Sequence, residues 1–303
     1  WAVRKNGEDN RMDKLHSPAK MAQLRAKHNF KNSKSLGQNF LSDKNIIDSI
    51  IEGSEIGEED LVIEIGPGMG VLTAAAAECA ARVVAVEIDR RLIPILEETL
   101  ADFDNVEIIQ ADVMKTDLTA IVEKYRTSGR VRIIGNLPYY ITTPIIMKLL
   151  EDKVPADSIT VMMQKEVADR IKASPGSKTY GALSVAVGFY CTVRHVVNAP
   201  KEAFVPRPKV DSTVIRLDVR KEKPVELTDE RLFFETVKNG FGQRRKTLLN
   251  SLTGVRGLPK DRIAEVLEKC GIDPKRRAET LNLKEFGNIA NEIAQIAVKT
   301  AEN

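Results

Sequence analysis

Short apolar runs recur along the middle of the chain, with longer periodic stretches between them. Leu61–Ile65, Val83–Glu87, Val106–Gln110, Val131–Gly135 and Ile159–Gln164 are rich in β-branched residues and five or six residues long. That is the length and composition of buried strands. After the first run, Leu72–Ala81 reads as a helix. After the fourth, Ile141-Thr142-Thr143-Pro144 leads into a helix through Leu150, with Thr143 as its cap and Pro144 in its first turn. Ahead of them, Ser42 or Asp43 caps a helix whose apolar positions Ile46, Ile47, Ile50 and Ile51 share one face. Residues 165–173 read as a basic amphipathic helix and 174–180 as a polar loop. Leu183–Phe189 and Val193–Val197 complete the sheet region, and Thr213–Val219 alternates as a last strand. From Thr228 the period becomes helical, over Leu232–Phe241, Lys246–Leu252, Arg262–Lys269 and Phe286–Ile296. A boundary near 222–227 follows, around the polar stretch Lys221-Glu222-Lys223-Pro224.

Residues 1–33 are polar and basic, with little apolar periodicity. They are expected to form a mobile tail with a short helix around Ala19–His28. They lack the apolar core of a secretory signal. The chain begins at Trp1, and Met12 and Met21 are both candidate native starts.

Composition narrows the class. With 43% hydrophobic and 29% charged residues, 303 residues suit a soluble protein of two domains. No apolar run approaches the ~20 residues of a membrane span. Three cysteines, Cys79, Cys191 and Cys270, lie far apart without metal-type spacing, which argues for a reducing compartment and against zinc or a disulfide framework. Charge is uneven. Residues 1–45 carry 10 basic and 4 acidic side chains, 46–130 carry 7 and 18, 131–221 carry 14 and 8, and 222–303 carry 15 and 13. An acidic block between basic flanks suggests a polyanion touching the flanks alone.

The chemistry collects where the strands end. Leu61–Ile65 runs into Gly66-Pro67-Gly68-Met69-Gly70, and a strand, a glycine loop and a helix in that order build a nucleotide-type pocket. Glycine lets the backbone approach a ligand closely. The G-x-G-x-G spacing departs from the dinucleotide fingerprint and speaks against a nicotinamide dehydrogenase. Glu87 closes the second strand 21 positions after Gly66, about where an acid accepting ribose hydroxyls is expected. Asp112 follows the third strand, able to accept from an adenine amine, with Ile88 and Val113 for the faces of the ring. The fourth strand delivers Asn136-Leu137-Pro138-Tyr139-Tyr140. There the Asn136 side-chain oxygen and the Leu137 carbonyl can accept both N–H bonds of an exocyclic amine, and Tyr139 offers a ring to stack on. Four successive strand ends with ligand-capable residues point to an adenosyl-ligand site.

Three further stretches carry signals. Gln38 and Asn39, in Ser35-Leu36-Gly37-Gln38-Asn39-Phe40-Leu41, serve either a turn or a ligand's amino-acid end. Phe204–Ser212 holds an arginine between Pro206 and Pro208, a stiff basic loop that serves either as a clamp on a splayed base or as an ordered crossover with a buried Phe204. Gln243-Arg244-Arg245-Lys246 and Lys275-Arg276-Arg277 are compact basic clusters suited to phosphate or to helix ends.

Together these stretches resemble the rRNA adenine N6,N6-dimethyltransferases, most closely their bacterial KsgA (RsmA) branch, from Ser35 to the C-terminal helices. The resemblance implies an α/β fold: a Rossmann-like S-adenosylmethionine-dependent methyltransferase domain with a seven-stranded sheet, and a small all-α C-terminal domain. The expected division is a basic tail at 1–33, the methyltransferase domain at 34–223 and a helical RNA-binding domain at 224–303. The implied donor is S-adenosyl-L-methionine. The implied substrate is a pair of adjacent adenosines near the 3′ end of small-subunit rRNA, each methylated twice at N6 in a maturing subunit. By position, Gln38, Asn39 and Leu41 line the donor's methionine end above Gly66 and Gly68, Glu87 takes the ribose, and Asp112 with Ile88 and Val113 takes the adenine. Asn136, Leu137 and Tyr139 hold the target base, and Phe204 stacks on it. A cytoplasmic monomer without metal or membrane contact is expected. The related Erm branch, which shares the tetrad but modifies large-subunit rRNA, and a non-catalytic RNA-binding assembly factor are the alternatives.

Overall fold

A computed structural model describes residues 15–33 and 36–301, with side chains as far as 296. The expected tail residues 1–14, including Met12, and Ser35 of the amide-rich motif lie outside the described residues. The chain divides into two compact units, one of residues 1–168 and 193–219, the other of 169–192 and 220–303.

The first unit is built on a sheet of seven strands. Its members are β2 (Leu61–Ile65), β3 (Arg82–Glu87), β4 (Val106–Gln110), β5 (Val131–Asn136), β6 (Ser158–Gln164), β7 (Cys191–Ala199) and β9 (Ser212–Val219). Their order is β4-β3-β2-β5-β6-β9-β7. β4 through β6 pair in parallel, and β9 joins β6 antiparallel, with Gln164 opposite Ser212. β2 and β6 are buried almost end to end, as helix-covered parallel strands must be. The order reverses between β2 and β5, and in open α/β sheets that is where ligands bind. A separate ladder joins β1 (Phe40–Leu41) to β8 (Phe204–Val205), with Leu41 opposite Phe204.

Gly135 fixes how closely β5 approaches β2. A Cβ there would lie 2.7 Å from the Ile65 carbonyl oxygen. At the opposite edge the buried Arg132 guanidinium meets Asp60 at 3.0 Å and donates to Ser158 Oγ at 3.1 Å. Asp60 also accepts from the Gly57 and Arg130 amides, and these bonds hold its carboxyl below its usual range although burial opposes them.

The N-terminal segment contains the short helix expected around Ala19–His28, but it is packed against the first unit and not a mobile tail. Pro18–Lys27 is a helix capped by Ser17, which accepts from the Lys20 amide at 3.2 Å. Met21 and Leu24 are each 1% exposed, and with Leu15 and Phe30 they join the cluster around Leu92, Ile95 and Leu96. The segment is polar on average, but its few apolar residues fall on one face, Met21 and Leu24 three apart. The helix after the tetrad starts at Thr142, one residue ahead of the expected cap, with Ile141 as N-cap.

The second unit gathers the helices Glu230–Gly242, Leu248–Leu252, Lys260–Lys269 and Leu283–Ala301 around Phe233, Leu267, Phe286 and Ile293. Leu183–Phe189, expected in the sheet, belongs to a helix, Ala182–Tyr190, in this core. Phe189 lies 5.1 Å from Phe233, and Tyr190 stacks on Phe234 at 5.6 Å. An unbroken apolar run has no period to tell strand from buried helix.

Truncating a fully buried leucine typically costs about 2–5 kcal/mol. Leu24→Ala is therefore expected to lower the unfolding free energy of the chain by that amount in urea titration. A change below about 0.5 kcal/mol, the range of a surface substitution, would return the segment to the status of a tail.

Candidate active site

The strand ends meet in one cleft within the first unit. Its walls include Gln38, Asn39, Leu41, Gly66, Gly68, Glu87, Ile88, Asp112, Val113, Asn136, Leu137 and Tyr139. Of the residues singled out from the sequence, only Phe204 is absent. It is 3% exposed and lies in the core with Leu41, Ala199 and Val214. The β1–β8 ladder sets Phe204 opposite Leu41 and turns its ring inward.

Gly66, Gly68 and Gly70 have φ of +71°, +61° and +84°. A side chain in that region is strained, so the turn from β2 into the helix Val71–Ala77 requires glycine. A Cβ on Gly66 would meet nothing within 4 Å, which leaves space beside the backbone for a ligand. On Gly68 it would meet the Phe40 ring at 3.0 Å.

Two carboxyls are buried in the wall. Glu64, 1% exposed, accepts from Thr73 Oγ1 at 2.5 Å. Burial outweighs that bond and, with the nearby Glu87 charge, pushes its pKa up to about 8. Glu87, 4% exposed, accepts from the Asp89 amide at 2.8 Å and from the Gly68 and Ile88 amides. Burial still prevails, and its pKa is pushed up to about 7. Asp112 is partly open, with one oxygen accepting from the Met114 amide at 3.0 Å. Ile88, half exposed at 51%, offers an apolar surface at the rim.

The tetrad loop is stiffened from several sides. The Pro138 carbonyl accepts from the Ile141 amide at 3.1 Å and from Thr142 Oγ1 at 2.9 Å. The Tyr139 hydroxyl shares a 2.7 Å hydrogen bond with Ser212 Oγ, a fully buried hydroxyl at the start of β9. Asn136 ends β5, and its Nδ2 donates to the Asn39 carbonyl at 3.0 Å. That bond fixes which end of the amide is which. With Nδ2 committed to the backbone, Oδ1 is the acceptor left for a ligand.

Sequence reading missed Asp89 and gave Tyr140 no part. Asp89 is 6% exposed and bonds to both Gln38 and Glu87. Its only signal was an acid two positions after a strand-end acid. Tyr140, 60% exposed, stands at the rim over Gly37.

In the second unit, backbone bonds from Leu248 to the Arg276 carbonyl and from Leu249 to the Pro274 carbonyl bring the segments of both basic clusters together. Gln243–Lys246 are exposed, and Arg244 donates to the Lys178 carbonyl at 2.7 Å. Arg276 is committed to Glu285 at 2.6 Å and to Thr280, so its role is internal. Among the described residues there is no cluster of three or more His, Cys, Asp or Glu placed to hold a metal, and no helix long and apolar enough to cross a membrane.

The model of a ribosomal RNA adenine dimethylase family matches residues 29–295. The chain is similar to proteins named ribosomal RNA small subunit methyltransferase A. It is 53% identical to that of Clostridioides difficile over 93% of this chain and 98% of that one. It is 49% identical to that of Bacillus mycoides over 93% and 98%. Among solved structures, a dimethyladenosine transferase from Plasmodium falciparum superposes with a TM-score of 0.73 at 26% identity, over 85% of this chain and 98% of that one. The 23S rRNA methyltransferase ErmE does so with 0.65 at 27% identity, over 85% and 100%.

The buried Glu64 gives folding a pH dependence. Its folded pKa of about 8 exceeds its ordinary value of 4.5, so its contribution is complete below the unfolded value and is lost as pH rises through about 8. Glu64→Gln removes the titrating group. In urea unfolding the variant should match the parent near pH 4 and exceed it by about 4 kcal/mol near pH 8.5. Parallel profiles for the two proteins would mean that Glu64 titrates as it does in the unfolded chain.

Proposed function

The chain belongs to the ribosomal RNA adenine dimethylase family, and from that premise we propose that it dimethylates N6 of two adjacent adenosines near the 3′ end of small-subunit rRNA, in a maturing subunit, with the walls of this cleft holding both donor and target base. The observation that carries the assignment of roles is the Asn136 amide. Its nitrogen is tied to the Asn39 carbonyl, so its oxygen is set to receive an N–H.

The methyl donor is S-adenosyl-L-methionine, which supplies when bound a methyl group on a positively charged sulfur, open to direct displacement. The walls suit it. The open space at Gly66, the acids Glu87 and Asp112, and the apolar Ile88 and Val113 match a sugar with two hydroxyls joined to a flat ring bearing an amine. Glu87 accepts from the ribose, Asp112 accepts from the adenine amine, and Gln38, Asn39 and Leu41 line the methionine end.

Asn136 Oδ1 and the Leu137 carbonyl accept the two N–H bonds of the target amine. This turns its lone pair out of conjugation with the ring and toward the carbon it attacks. Tyr139, braced through Ser212, stacks on the base. With the donor bound, these residues would hold the amine in line with the methyl group, so that a C–N bond could replace the donor's C–S bond. The nitrogen then carries a proton acidic enough to pass to water, so the loop needs no strong base. No histidine lines the cleft, in keeping with this. Positioning supplies most of the acceleration. The exposed cations of Gln243–Lys246 meet RNA phosphates.

Three measurements test the assignment. Labelled methyl transfer onto undermethylated small and large ribosomal subunits, side by side, should place dimethyladenosine on the small subunit alone; label on the large subunit would move the protein to the Erm branch. Asn136→Ala should lower transfer by 100-fold or more, about the value of a lost oriented acceptor in a buried site, with donor and RNA binding kept. Glu87→Ala should weaken donor binding in calorimetry more than RNA binding, while replacing Arg244, Arg245 and Lys246 together should do the reverse. Equal losses of both in either variant would contradict the division of roles.

A further inference from the structure

We propose that Asp89 is a positioning residue of this reaction: it bridges Gln38 and Glu87, fixes the loop Leu36–Asn39, and through that loop sets the amide of Asn136. Only its place in a methyl transfer rests on the function proposed above; the bridge itself stands on the contacts.

Asp89 is 6% exposed and is not part of the cleft wall, so it acts through other residues. Its Oδ2 accepts from Gln38 Nε2 at 2.8 Å and from Arg91 Nη2 at 2.7 Å. Its Oδ1 accepts from Arg91 Nε at 2.8 Å and from the Arg91 amide at 3.1 Å. Its own amide donates to Glu87 Oε1 at 2.8 Å. Each carboxylate oxygen thus takes two bonds, the condition under which a buried charge is tolerated.

Gln38 is held at its other end as well. Its Oε1 accepts from the Ser33 amide at 2.9 Å, so the orientation of its amide is set, with nitrogen toward Asp89. One residue on, the Asn39 carbonyl takes the Asn136 Nδ2 proton at 3.0 Å. A continuous path of bonds and one peptide link therefore runs from Glu87 through Asp89, Gln38 and Asn39 to Asn136. It spans the cleft from the sugar acid to the residue that orients the amine. Side chains that carry a site need such support to stay within a fraction of an ångström of the working geometry.

A simpler role for Asp89 would be to pair with Arg91, whose side chain is 47% exposed. The two roles separate by substitution. In Asp89→Asn, whichever way the new amide turns, Gln38 or Arg91 is left with a donor facing an N–H. In the double variant Asp89→Asn, Gln38→Glu the bridge reverses. The carboxylate at 38 accepts from both the Ser33 amide and the new amide at 89, while the Arg91 pair stays weakened. Arg91→Gln removes the pair and leaves the bridge.

Three readouts apply to the full chain: S-adenosylmethionine affinity by calorimetry, hydrogen exchange of the Leu36–Leu41 amides without ligand, and kcat for methyl transfer to undermethylated small subunits. Asp89→Asn should cost about 10-fold in affinity and in kcat, the value of one bond to a charged group, and should speed exchange in the loop. The double variant should return loop exchange to within about threefold of the parent, short of a full hydrogen bond's worth, and Arg91→Gln should leave loop exchange and affinity unchanged. The proposal is overturned if the loop exchanges as fast in the double variant as in the single one, if Arg91→Gln reproduces the losses, or if Asp89→Asn leaves the loop and affinity as they were. If the parent transfers no methyl to small subunits, the functional reading fails, while affinity and exchange still decide the bridge.

Discussion

Everything in the cleft depends on strands β2 to β5 pairing side by side in parallel. Parallel pairing sends every carboxyl end to one edge, so residues far apart in the chain reach the same place without long loops. Gly66 follows β2, Glu87 ends β3, Asp112 lies just past β4 and Asn136 ends β5. The reversal of order between β2 and β5 sends the following helices to opposite faces, and the gap between them is the cleft. The first unit could lose much of its surface detail and keep this arrangement. It could not change the direction of one of these strands.

Sequence carried this part of the structure well, for a physical reason. Buried parallel strands need unbroken apolar runs, a turn at positive φ needs glycine, and polar residues at strand ends have nothing to do inside a core. Each leaves a local signature, and four of them in series located the cleft. What stayed hidden depends on partners distant in the chain. Phe204 looked like a residue for stacking until its pairing opposite Leu41 turned it inward. Met21 and Leu24 looked like tail residues because nothing local shows that Leu92, Ile95 and Leu96 wait to cover them. Asp89 is two residues from an acid that was recognised, but its meaning comes from Gln38, 51 positions earlier. Ala182–Tyr190 fails differently, since its run of apolar residues fits either a strand or a helix surrounded by core.

The two buried acids show how the same environment serves different ends. Glu64 has one hydroxyl partner and little else, and it stays protonated around neutrality. Glu87 is nearly as deep but faces three backbone N–H groups, which bring its titration close to neutrality. Donors aimed at a carboxylate favour its charged form, and burial favours the neutral one. The difference between three amides and one hydroxyl therefore separates two acids of the same wall, one titrating near neutrality and one above it.

Gly135 has a consequence for how such a protein can diverge. The place of its missing side chain is taken by the backbone of β2, so no other residue fits without moving the strand. The neighbouring Asn136 thereby inherits a fixed position in space from a residue with no chemistry of its own. Over evolutionary time, side chains around the cleft mouth are free to drift and to alter which RNA is met. The place of Asn136 is not, because shifting it would require rebuilding two strands at once. A lineage of this kind is expected to change its substrates by remodelling the rim while Asn136 stays where it was.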